Sequence, residues 1–208
     1  TESMKLKVCG MRETENIEAL VELQPDYMGF IFWALSSRYV DQPTPVLMDS
    51  IKKTGVFVDA TPDYIQSTIQ EHHLQAVQLH GEETPAYCSL INEFEVEVIK
   101  AFSIKNQFDF SRLNAYETSC DYFLFDTKGA LPGGNGYGFD WTLLNAYPSN
   151  KPFFLSGGIG PEDIEKIKAL TKTDLPLFAI DVNSKFERSP GHKNIEQITP
   201  FKQQLDEL

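Results

Sequence analysis

Residues 152–182, "PFFLSGGIGPEDIEKIKALTKTDLPLFAIDV", hold two apolar runs on either side of an amphipathic segment. "PFFLSG" (152–157) and "LFAIDV" (177–182) read as strands, because β-branched and aromatic residues dominate short runs bounded by breakers. "PEDIEKIKALT" (161–171) opens with Pro161 in a first-turn position, carries two acids near its start and has lysines towards its end. That order of charges complements a helix dipole. A strand, a helix and a second strand in succession point to two parallel strands joined by a crossover. The unbroken apolar character of the strands indicates that both faces of the sheet are covered.

The same unit recurs outward from this stretch. Strands are expected at "KLKVC" (5–9), "YMGFIF" (27–32), "TGVFV" (54–58), "AVQLH" (76–80), "VEVIKAF" (96–102) and "YFLFD" (122–126), which brings the total to eight. Eight helical segments are expected between and after them. "TENIEALVEL" puts Ile17, Leu20 and Val21 on one face, and "PDYIQSTIQEHH" does so with Tyr64, Ile65, Thr68 and Ile69. An open doubly wound sheet and a closed barrel both satisfy this alternation. The count of eight favours the barrel, as does the lack of a glycine-rich dinucleotide fingerprint after any strand. The expected fold is therefore α/β, a single (β/α)8 TIM barrel with parallel strands spanning 4–208. Residues 1–3, ahead of Met4, read as a cloning remnant.

A net charge of -12 on 208 residues disfavours nonspecific binding to nucleic acid or to an acidic membrane surface. It leaves room for a small anion, which a few backbone amides and one arginine can hold locally. No apolar run is long enough to span a bilayer, and no secretory signal is expected. Cys9, Cys88 and Cys120 are widely spaced, without a C-x-x-C pair, which suits the cytoplasm and argues against a cysteine zinc site. Cys88 and Cys120 fall in helical segments and read as structural.

In a parallel barrel, chemistry gathers at the C-terminal ends of the strands. Those ends carry Cys9-Gly10, a loop with Arg38, Asp59, His80-Gly81, Asp126-Thr127, Gly157-Gly158, and Asp181 with Asn183-Ser184. The glycines at 157–158 and the loop at 183–184 follow the last two strands, where barrels commonly bind phosphate. Asp126 closes a strongly apolar strand, where desolvation would keep some of it protonated, as a general acid requires. Lys100, inside an apolar strand, needs a partner or a wet barrel mouth. Arg38 could grip a carboxylate or simply be solvated, and His80 is as compatible with a structural role as with a functional one. Cys9, taken alone, is best read as a small buried residue.

Together, "KVCGMRE", "SSRYV", "GVFVDATPDYI", "VQLHGEE", "FLFDT…PGGNGYGFDW", "LSGGIGPEDI" and "DVNSKFERSPGHKN" resemble, in order, the phosphoribosylanthranilate isomerases of tryptophan biosynthesis. The resemblance spans about residues 5–205. It implies an Amadori rearrangement of N-(5-phosphoribosyl)anthranilate without metal or organic cofactor. It also implies Asp126 as general acid, Cys9 as thiolate base, and a 5′-phosphate on the amides around Gly157, Gly158, Asn183 and Ser184. Arg38 would grip the anthranilate carboxylate. His80 and the glycine-rich loop 133–138, including Gly134, would line or cover the site. Gly10 would leave room for substrate. The implied partner is a small phosphorylated substrate, with no nucleic acid or membrane, and the chain is expected to be a monomer or homodimer. An acid–base pair of this kind requires a raised pKa at Asp126 and a lowered one at Cys9.

Three departures from the family pattern stand out: Arg12 in place of a small hydroxyl residue, Lys185 where glycine is common, and no proline before Arg38. Two other readings fit the same barrel. One is a sugar-phosphate epimerase or the related isomerase of histidine biosynthesis, which would be expected to carry an aspartate at the position of Cys9. The other is a phosphate-binding module without catalysis.

Overall fold

Alternating side chains along eight short strands decide which residues face the barrel axis and which face the helices. The computed structural model describes residues 3–105, 107–127 and 141–208. The strands are β1 (Lys5–Val8), β2 (Tyr27–Ile31), β3 (Lys52–Phe57), β4 (Ala76–Leu79), β5 (Glu97–Ser103), β6 (Tyr122–Asp126), β7 (Phe153–Ser156) and β8 (Leu177–Val182). All pair in parallel with their sequence neighbours, and β1 pairs with β8 from Lys5↔Ala179 to Val8↔Val182. The ring is closed, so the open-sheet alternative is set aside.

Two apolar layers follow from the alternation. Outside the ring, Leu6, Val8, Val77, Leu79, Phe123, Phe125, Ile180 and Val182 pack under the connecting segments. Inside, Tyr27, Ala76, Ile99, Ala101, Leu124, Phe154 and Ala179 form a separate cluster. Tyr27 meets Phe154 edge-on at 5.0 Å, and Tyr122 stacks on Phe178 at 4.5 Å, so aromatic rings help fill the interior. Lys7, between outward Leu6 and Val8, points inward. By the same period Gln78 shares the inward face with Ala76, and Asp181 with Ala179.

The connections depart from the expectation of eight helices. The α-helices among the described residues are α1 (Thr14–Val21), α2 (Pro62–His72), α3 (Pro85–Asn92), α4 (Ile164–Thr171) and α5 (Ile195–Asp206). Between β2 and β3 the chain turns without a helix; Pro43 and Pro45 remove backbone donors there. The segments Phe110–Tyr116 and Trp141–Ala146 are 3-10 helices. Pro161–Asp163 forms a 3-10 turn ahead of α4. Helix α2 begins where Thr61 Oγ1 accepts from the Tyr64 amide and Pro62 occupies the first turn. Its buried face is Ile65, Thr68 and His72, with Tyr64 left partly exposed. After β8, a small antiparallel hairpin, β9 (Glu187–Ser189) and β10 (His192–Lys193), precedes α5. Cys88 lies in α3, whereas Cys120 follows a 3-10 helix rather than lying in one. No helix among the described residues is long and apolar enough to cross a membrane.

Candidate active site

A cavity of about 260 Å³ opens at the C-terminal ends of the strands, and Cys9, Arg38, His80, Asp126, Gly157, Gly158, Asn183 and Ser184 all line it. Eight of the nine residues picked from sequence are thus brought to one place by the barrel. Gly134, with the loop 133–138, lies outside the described residues. Gln78, Ser156, Asp181 and Lys185 share the wall.

Cys9 continues β1, its amide donating to the Val182 carbonyl at 3.0 Å. Its sulfur lies where a side chain at position 29 would be; a Cβ there would come within 2.7 Å of Sγ, so Gly29 makes the space for the thiol. Burial pushes the Cys9 thiol up. Lys7 pulls it down, Asp181 pushes it up and Lys193 pulls it down, and the net direction is a raised pKa. The direction is thus opposite to the lowered value expected of a thiolate base.

Gly10 serves a different purpose from the one expected. Its φ is +77°, and a Cβ would meet Asn183 Oδ1 at 2.6 Å and Arg38 Cδ at 2.7 Å. The room beside it is filled by those two side chains rather than left for substrate. Arg38 is neither solvated nor unattached. Its Nε donates to Glu187 Oε2 at 2.9 Å and its Nη2 to Oε1 at 2.5 Å. Glu187 also accepts from Lys193 Nζ at 2.7 Å and from the Gly191 amide at 2.9 Å. Burial pushes Glu187 up, but the hydrogen bonds from Arg38 and Lys193 outweigh it and hold the carboxyl below its ordinary value. The guanidinium is thus fixed at the cavity wall, and its Nη1 makes no hydrogen bond among the described residues.

Arg12 fastens this arrangement from outside. Its Nη1 donates to the Ser37 carbonyl at 2.9 Å and its Nη2 to the Pro190 carbonyl at 3.0 Å. It ties the Arg38 loop to the β9–β10 hairpin. The departure at position 12 is a strut.

Asp126 ends β6 and His80 follows β4; His80 Nε2 lies 3.0 Å from Asp126 Oδ2. His80 Nδ1 lies 2.9 Å from Gln78 Nε2. Gln78 Oε1 in turn accepts from Lys7 Nζ at 2.6 Å, and Lys7 pairs with Asp181 Oδ1 at 3.1 Å. Ser156 Oγ donates to Asp181 Oδ2 at 2.9 Å. Burial lowers the Lys7 pKa, but Asp181 and Cys9 together more than compensate and the ammonium is retained. Lys100 faces the other way, outside the ring, paired with Glu83 at 3.3 Å and donating to the Gly81 and Ala101 carbonyls. It is a structural ion pair.

Directly after Ser156, Gly157 and Gly158 take φ of +101° and +66°, and a Cβ on Gly158 would meet nothing within 4 Å. Backbone in this left-handed region lets the loop present amides to an anion without side-chain obstruction. Lys185 adds a cation beside Asn183 and Ser184.

Lys7, Gln78 and Glu187 escaped the sequence reading. The signal that could have found the first two is the alternation itself: Lys7 shares an inward face with Cys9, as Gln78 does with His80. Glu187 lies in the hairpin after the last strand, where no periodicity marks a site.

A family model for "N-(5'phosphoribosyl)anthranilate (PRA) isomerase" matches residues 6–204. An N-(5'-phosphoribosyl)anthranilate isomerase of Parabacteroides distasonis is 42% identical over 209 residues, covering 97% of this chain and 93% of its own. The crystal structure of phosphoribosyl anthranilate isomerase from Thermotoga maritima superposes with a TM-score of 0.81 at 33% identity, covering 99% of this chain and 100% of that one. Another such isomerase, solved in complex with reduced 1-(o-carboxyphenylamino)-1-deoxyribulose 5-phosphate, gives 0.80 at 30% identity, with the same coverages. A closed parallel barrel with these residues around one mouth, matched along nearly its whole length, belongs to the phosphoribosylanthranilate isomerase family of tryptophan biosynthesis.

Proposed function

We propose that the chain isomerises N-(5-phosphoribosyl)anthranilate to 1-(2-carboxyphenylamino)-1-deoxyribulose 5-phosphate by general acid and general base catalysis, with no cofactor, in the cytoplasm. The observation that carries the mechanism is the convergence of Cys9 and Asp126 on one cavity that also holds the Gly157–Gly158 turn and Arg38. Strands β1 and β6 stand three places apart around the ring, so the thiol and the carboxyl approach a ligand from different sides.

Protonated Asp126 gives its proton to the furanose ring oxygen. The C1–O bond breaks, and the nitrogen lone pair forms a protonated imine. Cys9 in its thiolate form then takes the proton from C2, the electron pair moves towards the imine nitrogen, and an enolamine results. Tautomerisation yields the ketone, so atoms and charge balance without an added oxidant or reductant. The protonated imine is itself a cation within the cavity and favours the thiolate that burial disfavours. Lys7 and Lys193 act in the same direction. Only molecules with Asp126 protonated and Cys9 ionised react.

Arg38, held by Glu187, directs its remaining donor edge at the anthranilate carboxylate. The amides near Gly157, Gly158, Asn183 and Ser184, with Lys185, take the phosphate. Support for these ligand groups comes from the related isomerase whose bound compound carries both a carboxyphenylamino group and a 5-phosphate. The test is to supply phosphoribosylanthranilate and follow the loss of its fluorescence. Cys9→Ser and Asp126→Asn should each lower kcat by roughly 100-fold or more, the usual worth of a general acid or base. Full activity in either variant would overturn the mechanism. Inactive parent protein would favour a binding module.

A further inference from the structure

The geometry points to Lys7 and Gln78 as positioning residues that lock His80 in its neutral, Nε2-protonated form, so that the imidazole donates to Asp126 and fixes which carboxyl oxygen carries the acid proton. This deepens the proposed mechanism and rests on it for its catalytic half.

The direction of each hydrogen bond follows from donor chemistry. Lys7, an ammonium with no acceptor, can only donate, so the Gln78 atom 2.6 Å from it must be the carbonyl oxygen. The amide nitrogen of Gln78 is thereby committed to the other side, where it lies 2.9 Å from His80 Nδ1. An amide NH2 only donates, so Nδ1 is the acceptor and the ring proton sits on Nε2. That proton points at Asp126 Oδ2, 3.0 Å away. Lys7 and Gln78 are both buried, and the Lys7–Asp181 pair holds the start of the chain of bonds in place.

The lock acts on charge as well as on tautomer. Protonating Nδ1 would set two donors against each other. Turning the Gln78 amide to relieve that would bring its NH2 against the Lys7 ammonium. The bond from Gln78 Nε2 to Nδ1 therefore fits the uncharged ring. A cation beside Asp126 would favour the carboxylate and weaken the acid, so a neutral imidazole preserves its ability to give up a proton. With Oδ2 accepting from the ring, the proton delivered to substrate resides on Oδ1.

The parent protein tests the lock directly through the 15N spectrum of the His80 imidazole, assigned by loss of its signals in His80→Asn. A protonated Nε2 and an unprotonated, hydrogen-bonded Nδ1 are expected at neutral pH; a protonated Nδ1 would overturn the inference. Gln78→Glu keeps the size but replaces the donor with a carboxylate that accepts from both Lys7 and Nδ1–H. Its spectrum should show Nδ1 protonated, and kcat should fall by roughly tenfold or more with KM nearly unchanged. Gln78→Met should fall less, because it imposes neither form. An unchanged spectrum in Gln78→Glu would overturn the lock. A switched spectrum with unchanged kcat would overturn its catalytic role. A correct tautomer in a parent protein that does not turn over phosphoribosylanthranilate would sink the functional reading instead.

Discussion

Cys9 is buried at the wall of the cavity, and its titration is the most direct residue-scale measurement of the site. Burial raises its pKa above the ordinary 9.0, so the free protein at neutral pH holds mainly the thiol. The sign can be checked without substrate. The midpoint of thiolate absorbance, taken as the difference between parent and Cys9→Ser, should lie above that of an exposed cysteine in ligand-free protein. A midpoint below that of an exposed cysteine would mean the lysines outweigh desolvation. The neighbouring residues show how much of this was readable beforehand. Asp126 was visible because it closes an apolar run at a strand end, whereas Cys9, read alone, passed for a small buried residue and was singled out only by its place at the barrel mouth and by the family resemblance. Gln78 was not, because an amide within "AVQLH" disappears into a strand, and its partner Lys7 is 71 residues away.

At the scale of elements, the strands were legible to within two residues, the largest difference being at β3, which starts with Lys52 rather than Thr54. Burial on both faces leaves an unbroken apolar signature. The connections were less legible for a matching reason: 3-10 segments such as Phe110–Tyr116 lack the 3.6-residue period that marks an amphipathic helix. The turns between β2 and β3 that carry Arg38 are held by distant partners as well as local bonds, and local pattern does not encode the distant ones. Arg12 is the clearest of these, joining that loop to the β9–β10 hairpin. Arg12→Ala should loosen the Arg38 loop and raise KM about fivefold, the worth of about 1 kcal/mol in lost hydrogen bonding, while kcat changes less. Steady-state kinetics checks it; an unchanged KM would show that Glu187 alone positions Arg38.

Across the whole molecule, the Lys7–Asp181 pair bridges β1 and β8, the two strands that close the ring. Replacing Lys7 with methionine leaves a carboxylate buried without its cation. Breaking such a pair costs roughly 3–5 kcal/mol, so Lys7→Met should lower the urea midpoint sharply. Removing both partners, in Lys7→Met/Asp181→Leu, should recover much of that stability, because no uncompensated charge then remains. Equal destabilisation by the single and double variants would contradict this account. The seam also sets a timetable for a chain made from its N-terminus. Lys5 pairs with Ala179, so β1 must wait on the ribosome for a partner made 174 residues later. At roughly 5–20 residues per second, that wait lasts about ten to thirty-five seconds. During it, one edge of β1 lacks its neighbour and the ammonium of Lys7 lacks Asp181, and a chaperone that recognises unpaired strand edges has its longest opportunity there.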